Sequence, residues 1–361
     1  MVGPFPEGKG LQSEDPPSGT GGMREIVKLV EEIDREGMQS ILLSFPQQLR
    51  LPPISPDIEN LPRPRQMVVV GVGGSAIGGD IFRTYMARLS LCPVHVIRGY
   101  CLPLWVDPKT LVVAVSCSGR TQETLAMFQE ARKRKTPIVA VTRGGDLEKA
   151  ALEAKIPVAK LQGTSPPRTT LGNTLSILIA LAQSLDLIPQ EDPLEEAQTL
   201  LSDMAREFHP SRGGGRAFEM AEKLKGAIPL IYAGGPSLEA VATRWKGQFN
   251  ENSKVPAFTN TFPELGHNEI VGWEGDMNPF HVVLLRDKEE TDLQSKTISA
   301  TLDLMRNRCR GVEEVRSRGE NLLTRLLSLV YMGDWVSYYL AIIRGVDPTP
   351  IPLIEELKRR L

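Results

Sequence analysis

Residues 71–80 read GVGGSAIGGD and directly follow the apolar run MVVV at residues 67–70. An apolar run that ends in glycines is typical of a buried strand that turns sharply into a helix. Glycine at such a turn removes side chains and lets the backbone come close to another group. The stretch therefore fits a dinucleotide site, a sugar-phosphate site or a tight turn without a ligand.

The strand that follows argues against a dinucleotide. A dinucleotide-binding domain expects an acidic residue at the end of its second strand, about twenty residues after the glycines. Here the second strand candidate, PVHVIRG at 93–99, ends in Arg98. A nucleotide P-loop needs Gly-Lys-Ser or Gly-Lys-Thr, and neither follows. A sugar-phosphate site and a plain turn remain.

Strand candidates alternate with helical stretches in two similar sets. The first set continues with two apolar runs, LVVAVS (111–116) and PIVAVT (137–142). The second set has the same order, and its members are IPLIYAGG (228–235), HVVLLRD (281–287) and GVEEVRS (311–317). Short apolar runs that alternate with helices are typical of parallel sheets covered on both faces. We predict an α/β fold with two tandem doubly wound parallel-sheet domains.

The predicted boundaries are a flexible N-terminal tail at residues 1–22, a first domain at 23–195 and a second domain at 196–361 that ends in a helical tail. The N-terminal stretch is polar and rich in glycine and proline, without the charged-then-apolar order of a signal peptide. Residues 324–343 are apolar almost all round and predict a deeply buried helix. That helix fits either a subunit interface or the interior of the chain.

Composition excludes several classes of partner. The 361-residue chain is 41% hydrophobic and 24% charged, and its net charge is −2. We therefore expect no nucleic-acid or membrane partner. The four cysteines have no CxxC spacing, which argues against structural zinc and against a disulfide framework. A reducing compartment fits such thiols, so we expect a cytoplasmic protein.

A second loop, SCSGRTQET at 116–124, follows the third strand and places hydroxyl groups at the start of a helix. Hydroxyls and free backbone N–H groups at the positive end of a helix suit a phosphate dianion. The loop contains no lysine, which suits a small phosphomonoester better than a triphosphate bound with Mg²⁺. The alternative is that these side chains only cap the helix.

Together, GGSAIGGD and SCSGRTQET resemble the sugar isomerase domain, a flavodoxin-like module that binds phosphosugars in isomerases, aminotransferring synthases and some regulators. The resemblance implies that Ser116, Ser118 and Thr121 hold the phosphate. It also implies that the first loop faces the sugar through Gly74 and Ser75. In this interpretation the glycines make room for a phosphorylated sugar.

Four more segments resemble the archaeal-type bifunctional phosphoglucose/phosphomannose isomerases, and the resemblance runs from about residue 23 to the end. They are ENSK (251–254), GHNEIVGW (266–273), the Pro-Arg pair in 163–172 and the tail motif DPTP…LK (347–358). The resemblance implies an aldose–ketose isomerase that interconverts glucose 6-phosphate, mannose 6-phosphate and fructose 6-phosphate. The reaction would pass through a cis-enediol without a metal or a cofactor, in glycolysis or gluconeogenesis.

The same resemblance assigns four catalytic residues. Glu251 is the base that moves a proton between C2 and C1, a task for a carboxylate with raised basicity. His267 opens the sugar ring, a proton transfer that suits an imidazole side chain, and Lys358 assists. Arg168 supplies the fixed positive charge that an enediolate needs.

Subunit contacts and substrate range also follow from the resemblance. The histidine of one subunit enters the active site of its neighbour, which implies a homodimer with shared sites. A threonine near the C-terminal lysine is linked to mannose tolerance, and Thr349 is the nearest match. Two departures concern the pocket lining: Cys117 replaces a larger residue between the two serines, and TTLG at 169–172 is less aromatic than the family pattern.

Plainer interpretations stay open at this point. Glu251 would be a surface acid paired with Lys254, His267 a solvated loop residue and Lys358 part of a charged helix end. The protein would then be a non-catalytic phosphosugar sensor, or another enzyme built on the sugar isomerase domain. The remaining histidines have no motif around them and are predicted to be structural: His95, His209 and His281.

Overall fold

The structure is a computed structural model that describes residues 20–163, 166–275 and 277–360. Up to residue 207 the elements are α1 (Thr20–Ile33), α2 (Met38–Leu43), α3 (Pro56–Glu59), β1 (Gln66–Val70), α4 (Gly74–Leu89), β2 (Val94–Ile97), β3 (Thr110–Ser116), α5 (Gln122–Lys133), β4 (Ile138–Thr142), α6 (Gly145–Glu153), β5 (Val158–Lys160), α7 (Leu171–Ser184) and α8 (Glu195–Glu207). From residue 215 they are α9 (Gly215–Leu224), β6 (Ile228–Ala233), α10 (Glu239–Gln248), β7 (Phe258–Thr261), α11 (Glu269–Gly272), β8 (Met277–Arg286), α12 (Asp292–Met305), β9 (Cys309–Arg316), α13 (Leu322–Ile343) and α14 (Pro352–Arg360).

The strands form two parallel sheets with the same order. The first sheet runs β2-β1-β3-β4-β5 and the second runs β7-β6-β8-β9. In each sheet the first strand of the half lies between the second and the third, as in a flavodoxin-like fold. The predicted fold class, two doubly wound parallel-sheet units in tandem, is confirmed.

Both faces of the first sheet are covered, which explains its unbroken apolar strands. Met67 and Val69 of β1 face a large core that also contains residues of α4, α7 and α13. Val68 and Val70 point to the opposite face and pack with residues of α5 and α6. Because side chains alternate along a strand, four consecutive apolar residues serve two separate cores.

Helix α13 lies in the core that the two halves share. This core contains Val69 of the first sheet, Ile231 of the second sheet and most of α13. By length and composition α13 could cross a bilayer, but 94% of its most apolar window is buried inside the protein. Of the two alternatives for the apolar helix at 324–343, burial within the chain is therefore the one observed.

The two halves interlock rather than meet at a plane. Tyr338 of α13 donates to Asp34 Oδ2 at the end of α1 at 3.1 Å, and Tyr331 donates to the Leu42 carbonyl of α2 at 2.8 Å. Helix α1 begins at Thr20, so the last three residues of the predicted tail are helical, and residues 1–19 lie outside the described residues. The boundary near residue 195 coincides with the start of α8 and stays a prediction.

Glycine is required where α10 and α13 cross. A Cβ built on Gly333 of α13 would lie 2.4 Å from the indole ring of Trp245. That ring is completely buried, and its Nε1 donates to the Leu329 carbonyl at 2.8 Å. The indole therefore lies directly on the backbone of α13.

We predict that Gly333→Ala lowers the free energy of unfolding by about 1–3 kcal/mol, because the new methyl group overpacks the Trp245 contact. Gly247→Ala on α10 is the matched control, since a Cβ there meets no atom of the described residues within 4 Å. Alanine in an open helical position stabilises by roughly 0.5–1 kcal/mol. Urea unfolding followed by circular dichroism measures both variants. Equal stability of the two would contradict the crossing described here.

Candidate active site

A cleft of about 200 Å³ opens at the carboxyl end of β1, between the first half and α10 of the second half. In a doubly wound sheet a ligand is expected outside the carboxyl ends of the strands, at the point where the strand order reverses. The lining residues are Gly73, Gly74, Ile77, Arg98, Arg168, Thr243, Arg244, Lys246, Gly247, Gln248, Asn250 and Glu251. Both halves of the chain therefore form its walls.

Several glycines of GVGGSAIGGD are required by the fold itself. Gly73 has a positive φ of 53°, which favours glycine, and it begins the turn into α4. A Cβ on Gly74 would lie 2.8 Å from the Cα atom of Arg168. On the first turns of α4, a Cβ on Gly79 would lie 2.9 Å from a methyl group of Val69. The close contacts at Gly74 and Gly79 therefore come from the chain itself, and Gly73 and Gly74 also line the cleft.

The serine–threonine loop at the end of β3 forms a compact turn at the start of α5. The hydroxyl groups of Ser116 and Thr121 are 2.9 Å apart, and the Gly119 N–H donates to Ser116 Oγ at 3.1 Å. The Arg120 N–H donates to Ser118 Oγ at 3.2 Å. Thr121 occupies the N-cap position of α5, yet its side chain makes no capping hydrogen bond within the described part of the chain. The alternative that these hydroxyls only cap the helix therefore fails for Thr121.

The two loops touch each other. The Cys117 N–H lies 3.4 Å from Ser75 Oγ, in a geometry that allows it to donate. Ser75 and Cys117 are both buried, whereas Ser118 is exposed. The two predicted loops are thus in contact at the carboxyl edge of the first sheet, although Gly74 is the only predicted phosphate or sugar residue among the described residues that line the cleft.

Arg168 is the most deeply buried charged group of the cleft, with 2% of its surface exposed. It lies on the short 3-10 turn Pro167–Thr170. Its Nε donates to Asn252 Oδ1 at 2.8 Å and its Nη1 lies 3.3 Å from Glu251 Oε2. Its Nη2 donates to the carbonyl oxygens of Pro348 and Thr349 at 2.9 and 3.1 Å. Burial lowers the pKa of this guanidinium and the Glu251 carboxylate opposes that shift, so Arg168 remains charged.

Glu251 faces the cleft and not a surface lysine. Its carboxylate pairs with Arg168, and its side chain keeps 26% of its surface exposed. Lys254, the rival partner in the plainer interpretation, donates instead to the backbone carbonyl of Glu251 at 2.7 Å. The alternative of a surface acid paired with Lys254 is therefore wrong.

A π-helical turn, Phe249–Ser253, carries Glu251 at the end of α10. Such wide turns are rare, and those that occur often lie at functional sites. Two of its side chains are fixed to α13: Asn252 Nδ2 donates to Ser337 Oγ at 3.0 Å, and Ser253 Oγ donates to the Ser337 carbonyl at 2.6 Å. Because Asn252 also accepts from Arg168, α13 holds both the arginine and the carboxylate of the site in place.

Thr349 lies against the same arginine through its backbone. Its N–H donates to Asp347 Oδ1 at 3.0 Å, and its carbonyl accepts from Arg168. Its hydroxyl oxygen is buried without a hydrogen-bond partner among the described residues. An unpartnered buried hydroxyl is costly, which makes this oxygen a candidate contact for a ligand.

His267 and Lys358 are not brought to this cleft within one chain. His267 ends the 3-10 turn Glu264–His267 and is exposed. Lys358 is exposed on α14, and none of the described residues of that helix is buried. The structure therefore groups Arg168, Glu251 and Thr349 and leaves the other two candidates at the surface. The roles of all five stay predictions.

Several basic residues of the cleft were missed from the sequence. Arg98 directly follows β2 and pairs with Asp80 of α4. Arg244 forms a bidentate ion pair with the buried Asp334 carboxylate: its Nε donates to Oδ1 at 3.1 Å and its Nη2 donates to Oδ2 at 3.0 Å. The spacing of Arg244, Gln248 and Glu251 is i, i+4 and i+7, which places them on one helical face and was available as a signal.

Comparisons with known proteins agree with this architecture. A family model described as "SIS domain" matches residues 61–181, and one described as "Bacterial phospho-glucose isomerase C-terminal SIS domain" matches residues 215–361. A glucose-6-phosphate isomerase-like protein of Thermus thermophilus superposes with a TM-score of 0.65 at 20% identity, covering 94% of this chain and 98% of that one. At that identity the likeness concerns the fold alone.

Sequence relatives are closer. A bifunctional phosphoglucose/phosphomannose isomerase of Caldicellulosiruptor bescii is 40% identical over 302 residues, which is 82% of this chain and 89% of that protein. A D-glucosamine-6-phosphate 4-epimerase of Sulfolobus acidocaldarius is 30% identical over 261 residues, which is 69% of this chain and 78% of that protein. With its cleft, its paired sheets and this degree of identity, the chain belongs to the family of bifunctional phosphoglucose/phosphomannose isomerases.

Proposed function

We propose that this chain interconverts glucose 6-phosphate and mannose 6-phosphate with fructose 6-phosphate by aldose–ketose isomerisation. One observation carries the proposal: a buried arginine, Arg168, lies 3.3 Å from a partly exposed carboxylate, Glu251, in the cleft that both halves of the chain form. Isomerisation through an enediol needs a base for the carbon-bound proton and a fixed positive charge for the developing oxyanion.

Glu251 takes the proton from C2 of the open-chain aldose and returns it to C1 of the enediol. The electron pair of the broken C–H bond moves into the C1–C2 double bond, and the carbonyl oxygen O1 gains negative charge. A proton then passes from O2 to O1, so that return of the carbon-bound proton to C1 leaves the carbonyl at C2. Arg168 stabilises that charge without movement, because four protein groups already fix its guanidinium. Rotation about C2–C3 would present either face of C2 to the same carboxylate, which accounts for both aldoses.

The phosphate is proposed to lie on the loop after β3. Ser116, Ser118 and Thr121 offer hydroxyl groups there, and the first N–H groups of α5 add the positive end of the helix. Gly74 and Ser75, next to this loop, are proposed to contact the sugar. The hydroxyl of Thr349 has no other partner among the described residues, and we propose that it contacts the substrate near C2.

We further propose a homodimer with shared active sites. His267 is exposed in its own chain and thus available to the cleft of a second copy, where it would move a proton between the ring oxygen and the anomeric hydroxyl. Lys358 is exposed as well and is proposed to assist. A cytoplasmic location is proposed because all four cysteines are free thiols.

Other reactions of phosphosugars are the second candidate. An epimerase among the relatives makes epimerisation at C4 the specific rival, and a regulator that binds phosphosugars without turnover is the other. Proton NMR of the purified protein with each aldose phosphate in D₂O separates all three. We expect fructose 6-phosphate, with deuterium at C1 only to the extent that the proton held by Glu251 exchanges with solvent before its return, whereas a C4 epimer or unchanged substrate would reject isomerisation.

Replacement of the base gives the first kinetic prediction. We expect Glu251→Gln to lower kcat by about 10²–10⁴-fold, because an amide cannot accept the C2 proton. Binding of the phosphosugar, measured by calorimetry, should change little since the phosphate contacts are intact. Glu239→Gln, at the exposed start of the same helix, is the control and should behave as wild type. Wild-type turnover in Glu251→Gln would refute the assignment.

Mixing inactive variants tests the shared site. If Glu251 of one subunit works with His267 of the other, heterodimers of Glu251→Gln and His267→Ala contain one intact site. An equal mixture that is denatured and refolded together should then regain about a quarter of wild-type activity, by random pairing in a two-fold dimer. Arg168→Gln mixed with Glu251→Gln should regain none, because these residues share one chain. No recovery in the first mixture would contradict the shared site.

A further inference from the structure

Lys254 has an unusual set of partners. Its ammonium nitrogen lies within hydrogen-bonding distance of four backbone carbonyl oxygens and is bonded to no carboxylate among the described residues. Two belong to the π-helical turn: Glu251 at 2.7 Å and Asn252 at 3.3 Å. Two belong to the C-terminal segment: Asp347 and Pro348, both at 3.0 Å. One cation thus joins the turn that carries the carboxylate to the segment that carries Thr349.

The backbone at Lys254 is adapted to this task. The residue directly follows the π-helical turn and adopts a left-handed conformation, with φ of 53°. This conformation is costly for a residue with a side chain and persists where its surroundings require it. In this conformation the lysine side chain reaches back to the carbonyl oxygens of the π-helical turn.

The C-terminal segment has a second attachment to the same place. The Pro348 carbonyl accepts from both Lys254 Nζ and Arg168 Nη2. If the lysine contact were lost, the carbonyl dipoles of Glu251 and Asn252 would lose the cation that they face. Of the two described side chains that bond to the carbonyls of the 347–349 segment, only Arg168 would then remain. The geometry of Arg168 and Glu251 therefore depends on Lys254.

We propose that Lys254 is a positioning residue for the isomerisation: its ammonium clamps the 347–349 segment to the π-helical turn and thereby sets the Glu251 carboxylate against Arg168. The proposal rests on the proposed function but is tested in part without it. Lys254 touches neither the reacting atoms nor the phosphate loop. Its loss should thus act on kcat more than on KM.

The surroundings of the clamp make its charge sensitive to pH. Burial lowers the pKa of Lys254 to about 8, and the positive charge of Arg168 adds to this shift. The carboxylates of Asp347, Glu251 and Glu36 face the same ammonium and oppose it. We expect the clamp to weaken above pH 8, as the ammonium loses its charge and one donor.

We expect the loss of charge on Lys254 to weaken the contacts of the clamp and not the stability of the whole protein. The folded-state pKa lies below that of a free lysine, so the unfolded chain binds the proton more tightly between about pH 8 and pH 10. This group alone therefore makes global stability rise with pH in that range. A fall in kcat above pH 8 without a fall in Tm would match the clamp and not unfolding.

The kinetic test compares Lys254→Met, Lys254→Arg and Lys135→Met. Lys135 is the matched control because it is also left-handed, with φ of 57°, and it is exposed. We expect Lys254→Met to lower kcat by about 10²-fold, the cost of a shift of about 1 Å in a catalytic group. Its KM should stay within about threefold, and Lys135→Met should match wild type. Lys254→Arg keeps its charge, so it should retain more activity and lose the decline near pH 8.

Hydrogen exchange tests the clamp independently of turnover. Peptides that cover residues 345–352 should exchange faster in Lys254→Met than in wild type and Lys135→Met. In wild type their protection, corrected for intrinsic exchange, should fall with a midpoint near pH 8. The wild-type measurement decides the matter if Lys254→Met does not fold. Unchanged exchange, a wild-type kcat in Lys254→Met or an unchanged pH profile in Lys254→Arg would overturn the proposal. A clamp that holds in a protein without isomerase activity would reject the proposed function and not the clamp.

Discussion

The burial of one guanidinium constrains the whole site. Arg168 comes from the first half, yet its four partners come from the π-helical turn of the second half and from the C-terminal segment. A buried charge costs several kcal/mol unless it is paired and hydrogen-bonded, so Arg168 is tolerated only when both segments are in place. The site exists only in the assembled fold, and its positive charge is fixed before any substrate arrives.

The central helix makes this assembly rigid. Helix α13 packs against helices of both halves and holds the π-helical turn through Ser337. Its Asp334 holds Arg244 on the wall of the cleft. Functional groups on a helix or a fixed turn are placed more accurately than groups on free loops. The apolar character of α13 thus serves the chemistry as well as the core.

The sequence predicted the strands that are buried on both faces, such as β1, β3 and β4, because their apolar runs are continuous. It did not predict β5 and β7, which are three and four residues long and contain no buried residue. The residues of the cleft followed only from family motifs, as did the expectation that His267 enters the active site of a neighbouring subunit. The contact of Gly74 with the Arg168 backbone was not predicted, since it joins residues far apart in sequence. The contacts of the π-helical turn with Ser337 and of Lys254 with Asp347 and Pro348 were missed because they, too, join residues far apart in sequence.

The central claim is that one ligand bridges the serine–threonine loop and the Glu251–Arg168 pair. A crystal structure with a five-carbon hydroxamate phosphate, a mimic of the enediolate, tests it most directly. We expect the phosphate on the turn of Ser116, Ser118 and Thr121, and the hydroxamate oxygens between the Glu251 carboxylate and the Arg168 guanidinium. A ligand bound elsewhere, or a Glu251 carboxylate turned away from it, would contradict the account.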